Sequence, residues 1–175
     1  MVVMADKSVP TSDHIRDIIS FVEASPTSYH AVAELTRRLE QAGFQRLEET
    51  ESWPSVEGRR YVVRDGAVIA WITPEKVTPQ LGARIVGSHT DSPSFKLKPN
   101  ATVTNQGWQQ VGMEVYGGGL LNSWLDRDLG LSGRLVTCDG QAHLVRTGPI
   151  LRISQLAPHL DLSLIHISEP TRRYA

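Results

Sequence analysis

A histidine and an aspartate two residues apart, His89 and Asp91, follow a short apolar run in the sequence IVGSHTDSPSFKLKP at residues 85–99. A neutral imidazole is a common zinc ligand, and a carboxylate usually holds its second ring nitrogen and thereby fixes the tautomer. Side chains two residues apart on an extended segment point the same way, so Asp91 is spaced to orient His89. A polar loop in which both side chains bond to the backbone is the simpler interpretation of the pair, and the pattern alone leaves both interpretations open.

The apolar run before this pair predicts where the pair lies. Residues 83–87 are rich in β-branched side chains and apolar on both faces, which is typical of a strand buried in the middle of a sheet that helices cover. Ligands of open α/β sheets bind just beyond the carboxyl ends of such strands. We therefore expect His89 and Asp91 at the end of a central strand in an α/β fold.

Two amphipathic helices are predicted in the first 45 residues. The first begins at the capping residues 11–13 and stops before Pro26, and the second has Thr27 or Ser28 as its cap and Gly43 at its end. Their apolar stripes, which are expected to face the core, are Ile15, Ile18, Ile19 and Val22 in the first helix and Val32, Leu35 and Leu39 in the second. His30 lies in the first turn of the second helix, and we interpret it as a packing or capping residue.

The spacing of apolar residues then changes to that of strands. The segments YVVRDGAVIAWI and LSGRLVTCDGQAHLVR are predicted hairpins, because Asp-Gly is a strong turn signal between arms rich in Val, Ile and Leu. The segment VTNQGWQQVGMEVY between them is strand-like and rich in turn residues. His143 falls in an alternating strand and is expected at the surface or in a cross-strand pair.

The composition excludes several classes of protein. The 175 residues are 40% hydrophobic and 21% charged, as in ordinary globular proteins, and 18 basic residues nearly balance 19 acidic ones. No basic face for nucleic acid, no secretory signal and no run long enough to span a membrane can be identified in the sequence. A single cysteine, Cys138, allows no internal disulfide and suits a reducing cytoplasm.

Three segments resemble signatures of the aspartyl aminopeptidase family, which are cytosolic two-metal exopeptidases. They are GSHTDSPSFKLKP at residues 87–99, EVYGGGLLNSWLDRDLGLSGRL at residues 114–135, and PILRISQLAPHLD at residues 149–161. The resemblance runs from about Ser12 to Asp161 with the segments in the family's order and spacing. It implies a metal-dependent aminopeptidase that releases N-terminal residues, acidic ones by the family name, from peptides.

The resemblance also implies a domain organisation. Residues 1–99 would form the N-terminal part of a zinc-exopeptidase-like α/β catalytic domain, and residues 100–161 the start of an inserted β-rich domain used for dimerisation and assembly. From Leu162 the sequence LSLIHISEPTR no longer resembles the family and matches the translation of a transposon end used in sequencing-library preparation. We therefore expect residues 162–175 to be an artefact, and the chain to be an incomplete, inactive N-terminal fragment of a homo-oligomeric enzyme.

Site residues are implied by the same resemblance. His89 would be a ligand of one of two zinc ions, Asp91 its catalytic orienting carboxylate, and His159 either a zinc ligand or a residue that reaches a neighbouring subunit's substrate. Histidine and carboxylate ligands also accept cobalt or manganese. The remaining ligands and a glutamate base would follow the insertion in the family and are absent from this chain.

Two other interpretations remain. Asp126 and Asp128 flank Arg127 and could share a metal, although a hydrogen-bonded network that fixes a loop or an interface is the simpler interpretation. The whole chain could also be a noncatalytic assembly or binding module in which the His89 and Asp91 pair is structural.

Overall fold

The computed structural model of the chain describes residues 11–53, 57–76, 78, 82–155 and 157. These residues fall into two units. The first contains the described residues up to Gly117 together with Ser132–Val145, and the second contains Gly118–Leu131 and the described residues from Arg146 onward. The mixture of helices and strands confirms the predicted α/β class.

Two helices open the first unit at the predicted positions. Helix α1 spans Thr11–Ala24 and helix α2 spans Ser28–Gln41. Thr27 caps α2, because its backbone is extended and its side-chain oxygen accepts a hydrogen bond from the His30 amide at 3.3 Å. Gly43 follows α2 in the left-handed region, at φ +80°, where glycine avoids the clash of a Cβ atom. Both predicted helix ends are thereby confirmed.

A three-stranded sheet follows the helices. Its strands are β1 (Gln45–Arg46), β2 (Gly58–Arg64) and β3 (Ala67–Thr73), in the order β1-β2-β3, with β1 parallel and β3 antiparallel to β2. Asp65 and Gly66 form the turn between β2 and β3, as predicted, with Asp65 in the left-handed region at φ 51°. The side chains that are buried among the described residues are Ala31 and Val32 of α2 and Tyr61 and Val62 of β2.

The Tyr61 hydroxyl is the polar end of this small core. It donates a 2.6 Å hydrogen bond to Glu40 at the end of α2, while the ring is fully buried. Burial, followed by the bond to Glu40, raises the pKa of Tyr61 from its usual value to about 12. The tyrosine thus joins β2 to α2 as long as it keeps its proton.

Tyr61 is expected to make the fold sensitive to alkali. Because its folded pKa is raised, its contribution to the free energy of unfolding is complete below about pH 10 and is lost as the pH rises toward about 12. Tyr61→Phe should lower the free energy of unfolding by about 1 kcal/mol at neutral pH, through the lost bond to Glu40, and should flatten this alkaline decline. Thermal unfolding across that pH range measures both effects. An equally steep decline in Tyr61→Phe would contradict the assignment.

The apolar stripe of α1 is not buried as predicted. Its four side chains, Ile15, Ile18, Ile19 and Val22, are each more than half exposed. The helix instead contacts α2 through Arg38, whose guanidinium donates to Asp17 at 2.8 and 2.9 Å and lies 5.3 Å from the Phe21 ring centroid. The prediction that the stripe faces the core is therefore wrong for the described part of the chain, where no element covers it.

The predicted central strand at residues 83–87 is likewise not formed. Residues 82–89 have no regular structure, and Ile85 and Val86 are 89% and 97% exposed. A central strand needs a neighbour on each side to pair its backbone groups. None of the three sheets of the described residues pairs with this segment. The segment is apolar and rich in β-branched residues, but no described strand pairs with it.

Two hairpins follow the three-stranded sheet. Strands β4 (Ser94–Asn105) and β5 (Trp108–Tyr116) are antiparallel and joined by a turn at Gln106 and Gly107. The register shifts between Leu97 and Thr102, around Pro99, which has no amide hydrogen for the ladder. The predicted domain boundary between residues 99 and 100 lies inside β4, and it stays a prediction for the complete protein.

The second hairpin pairs β6 (Ser132–Val136) with β7 (Ala142–Arg146), and Asp139 and Gly140 lie in the predicted turn. His143 is exposed in β7, which confirms its surface assignment.

The second unit is held by loop contacts around Asp126 and Asp128. The Asp126 carboxylate accepts a hydrogen bond from the Gln155 amide at 3.2 Å, and Arg152 donates to Asp128 at 2.5 Å. Arg127 donates to the Ser123 carbonyl at 3.2 Å rather than to either acid. Both acids thus hold loop segments as predicted, but among the described residues they do so through Arg152 and Gln155 and not through Arg127.

Candidate metal site at His89 and Asp91

His89 and Asp91 lie in the segment that leads directly into β4, and not at the end of a strand as predicted. His89 Nδ1 and Asp91 Oδ1 are 3.2 Å apart. The His89 side chain is 94% exposed and that of Asp91 is 38% exposed. The contact between them, which the spacing of two residues predicts, is present although the strand is not.

Tyr116 is a third member of this group that sequence reasoning missed. Its hydroxyl donates a hydrogen bond to Asp91 Oδ2, the carboxylate oxygen that does not face His89. The bonds from Tyr116 and then His89 lower the pKa of Asp91, because both stabilise the carboxylate. The same hydrogen bond, followed by the negative charge of Asp91, raises the pKa of Tyr116. Asp91 thus lies between two side chains that favour its anionic form.

The β4-β5 hairpin places Tyr116 beside Asp91. Ser94, at the start of β4, pairs with Tyr116, at the end of β5, so the loop before β4 lies next to the tyrosine ring. Lys96 Nζ lies 4.6 Å from the centroid of that ring. The signal in the sequence was the second family-like segment, which contains Tyr116, but only the strand register connects it to Asp91 across 25 residues.

Gly117, which follows β5, lies next to Pro93 in the loop that leads into β4. It has φ +72°, and a Cβ atom there would come within 3.2 Å of Pro93 Cβ. Glycine therefore allows the chain after β5 to approach Pro93 more closely than another residue would. This close approach supports the position of the loop that carries His89 and Asp91.

His89 and Asp91 together could supply one of the ligands of a zinc site. With its proton on Nδ1 facing Asp91, His89 offers Nε2 as the free lone pair for a metal. A typical zinc site has three or four protein ligands. Within the described ranges no three His, Cys, Asp or Glu side chains converge into such a set. His159, the other predicted ligand, lies outside the described residues.

His30 does not belong to this site. Its Nδ1 lies 2.8 Å from Thr27 Oγ1 at the start of α2, and its own amide bonds to the same oxygen. The side chain is half-buried. Its interpretation as a packing or capping residue is confirmed.

Comparison with known proteins identifies the family. The family model for aminopeptidase I zinc metalloproteases (M18) matches residues 21–170, which is most of the chain. The chain belongs to this M18 family of zinc aminopeptidases. The matched range includes the His89, Asp91 and Tyr116 group and extends past Leu162, where the expected artefactual tail begins. The origin of that tail stays a prediction.

Curated relatives are similar over most of this chain but are much longer. A probable M18 family aminopeptidase 2 from Streptomyces avermitilis is 53% identical over 152 residues, which cover 86% of this chain and 35% of the relative. A protein of the same description from Mycobacterium leprae is 45% identical over 82% of this chain and 35% of its own length. The chain spans about a third of the length of these relatives.

Solved structures confirm the fold. An M18 aminopeptidase from Thermotoga maritima has a TM-score of 0.74 at 27% identity, over 91% of this chain and 36% of that one. The mApe1 dodecamer of S. cerevisiae has a TM-score of 0.75 at 32% identity, over 84% and 36% of the two chains.

Among the described residues, neither helix has the length and apolar character of a membrane-spanning segment.

Proposed function

We propose that this chain is the N-terminal part of a metal-dependent aminopeptidase that releases N-terminal acidic residues, Asp or Glu, from peptides. His89 supplies one metal ligand and Asp91 holds its imidazole. The observation that carries the proposal is the 3.2 Å contact between His89 Nδ1 and Asp91, inside a chain of the M18 family. The preference for acidic residues rests on the likeness of the three sequence segments to aspartyl aminopeptidases.

The chemistry of the pair follows from its geometry. Asp91 accepts a hydrogen bond from the Nδ1–H of His89 and so keeps the Nε2 lone pair directed away from the carboxylate, where it can bind a cation. A pair of zinc ions, for which cobalt or manganese could substitute, would polarise the scissile carbonyl and activate water when bound. The other ligands and the general base belong to the longer protein, so residues 1–175 alone are proposed to be inactive.

His159 is proposed as a second site residue, with two roles still open. A ligand role predicts that His159→Ala loses metal together with activity. A role in reaching a neighbouring subunit's substrate predicts lower activity with unchanged metal content. Wild-type activity in that variant would indicate that His159 has only a structural role.

The complete protein is proposed to be a homo-oligomer in the cytoplasm. The dodecameric state of the S. cerevisiae protein supports assembly, as does the β4-β5 hairpin, which leaves Trp108 73% exposed. The free, exposed thiol of Cys138 suits a reducing compartment. In this proposal residues 1–99, which include the two helices and the start of β4, belong to the catalytic domain, and residues 100–161, which include the rest of the hairpin, begin the inserted β-rich domain.

Turnover of short peptides by the complete protein tests the proposed function. Peptides that begin with Asp or Glu should be cleaved faster than matched peptides that begin with Leu or Lys, and chelation should stop cleavage until zinc, cobalt or manganese is restored. A preference for peptides that begin with Leu would refute the proposed specificity for acidic residues but would leave the proposed peptidase activity in place. Absence of metal-dependent cleavage of every peptide would favour the alternative, a noncatalytic assembly or binding module.

A further inference from the structure

The β4-β5 hairpin reaches the candidate metal site through one side chain. Asp91 has two carboxylate oxygens, and each has a different partner: Oδ1 faces His89 Nδ1 at 3.2 Å, and Oδ2 accepts from the Tyr116 hydroxyl. A carboxylate held at one oxygen only can rotate about its terminal torsion, whose energy wells are broad. Two partners on opposite oxygens remove that freedom.

Tyr116 is itself held from several sides. The backbone of Tyr116 pairs with Ser94, Lys96 Nζ lies 4.6 Å from its ring centroid, and Gly117 behind it is packed against Pro93. Tyr116 is 40% exposed, so its hydroxyl is not kept in place by burial. Strand pairing and the charge of Lys96 therefore aim the hydroxyl at Asp91.

We infer that Tyr116 is a positioning residue for the metal ligand His89, acting through Asp91 across the β4-β5 hairpin. This inference rests on the proposed function, in which His89 binds metal. By fixing the Asp91 carboxylate, the hydroxyl fixes the His89 ring and its Nε2. A residue of the hairpin thereby sets the metal affinity of the site, since partners beyond the direct ligands orient those ligands.

Tyr116→Phe tests the inference because it removes the hydroxyl and keeps the ring under Lys96. In the complete protein, zinc transfer to a chelator should become roughly 3- to 10-fold faster, less than the change expected for losing Asp91 itself. The thermal midpoint of the metal-free protein should stay within about 2 °C of wild type, since one exposed hydroxyl contributes little to stability. Tyr29→Phe is the matched control, because Tyr29 contacts Arg134 in the same unit and not Asp91.

A double-mutant cycle separates positioning from a general structural effect. If Tyr116 acts through Asp91, Tyr116→Phe should add no further acceleration of zinc release to the Asp91→Asn variant. Additive effects of the two changes, or wild-type zinc release in Tyr116→Phe, would overturn the inference. A wild-type protein that holds no zinc would instead refute the proposed function, so the two failures are distinguishable.

Discussion

His89→Ala should remove at least one metal ion from the complete protein and abolish its peptidase activity. The imidazole is directed by Asp91 so that Nε2 is available to a cation, and alanine offers no replacement ligand. Loss of a direct ligand leaves the metal short of the three or four protein ligands of a typical zinc site. Metal content by elemental analysis and turnover of an N-terminal Asp peptide measure the two effects.

Asp91→Asn should have a smaller effect than His89→Ala, because it removes the partner of the ligand and not the ligand itself. Asparagine keeps the size of the side chain but loses the negative charge that holds the Nδ1 proton, so metal affinity should fall by roughly 10- to 100-fold. His143→Ala provides the control, because His143 is exposed in β7. Wild-type metal content and turnover in His89→Ala would refute the metal-ligand role, and equal losses in His143→Ala would point to a nonspecific effect of histidine removal.

Residues 1–175 expressed alone should be poorly soluble or molten, should bind zinc no more tightly than a surface histidine, and should show no aminopeptidase activity. The exposed apolar surface is the physical reason. The α1 stripe is more than half exposed, and Ile85 and Val86 are almost fully exposed. Apolar surface left in water forgoes about 25 cal/mol of stabilisation for every Å². Unpaired β-prone segments also favour aggregation.

Replacing residues 162–175 with the natural continuation of a complete M18 protein should restore solubility, zinc binding and activity together. Binding of a hydrophobic dye, sedimentation and zinc titration report the first two properties, and cleavage of an N-terminal Asp peptide reports the third. Metal-dependent turnover by the 175-residue chain, abolished by His89→Ala, would show that the short chain is already sufficient.

Short-range sequence signals predicted the helix ends and the turns correctly. Thr27 caps α2, Gly43 follows its end, and Asp65 and Gly66 join β2 to β3, as their residue types indicate. Each of these features depends on backbone preferences and hydrogen bonds within a few residues. The contact between His89 and Asp91 is of the same kind, because the two residues are separated by one position.

Contacts between residues far apart in the sequence could not be predicted from these short-range signals. The apolar pattern of α1 and of residues 83–87 determines that these segments need a covering surface, but a pattern carries no information about which segment supplies it. Tyr116 meets Asp91 only because β4 and β5 pair in one particular register. The sequence by itself determined the helices, the turns and the contact between His89 and Asp91. The tertiary structure alone decided which faces are buried and which side chain holds Asp91, because these features depend on contacts between residues far apart in the chain.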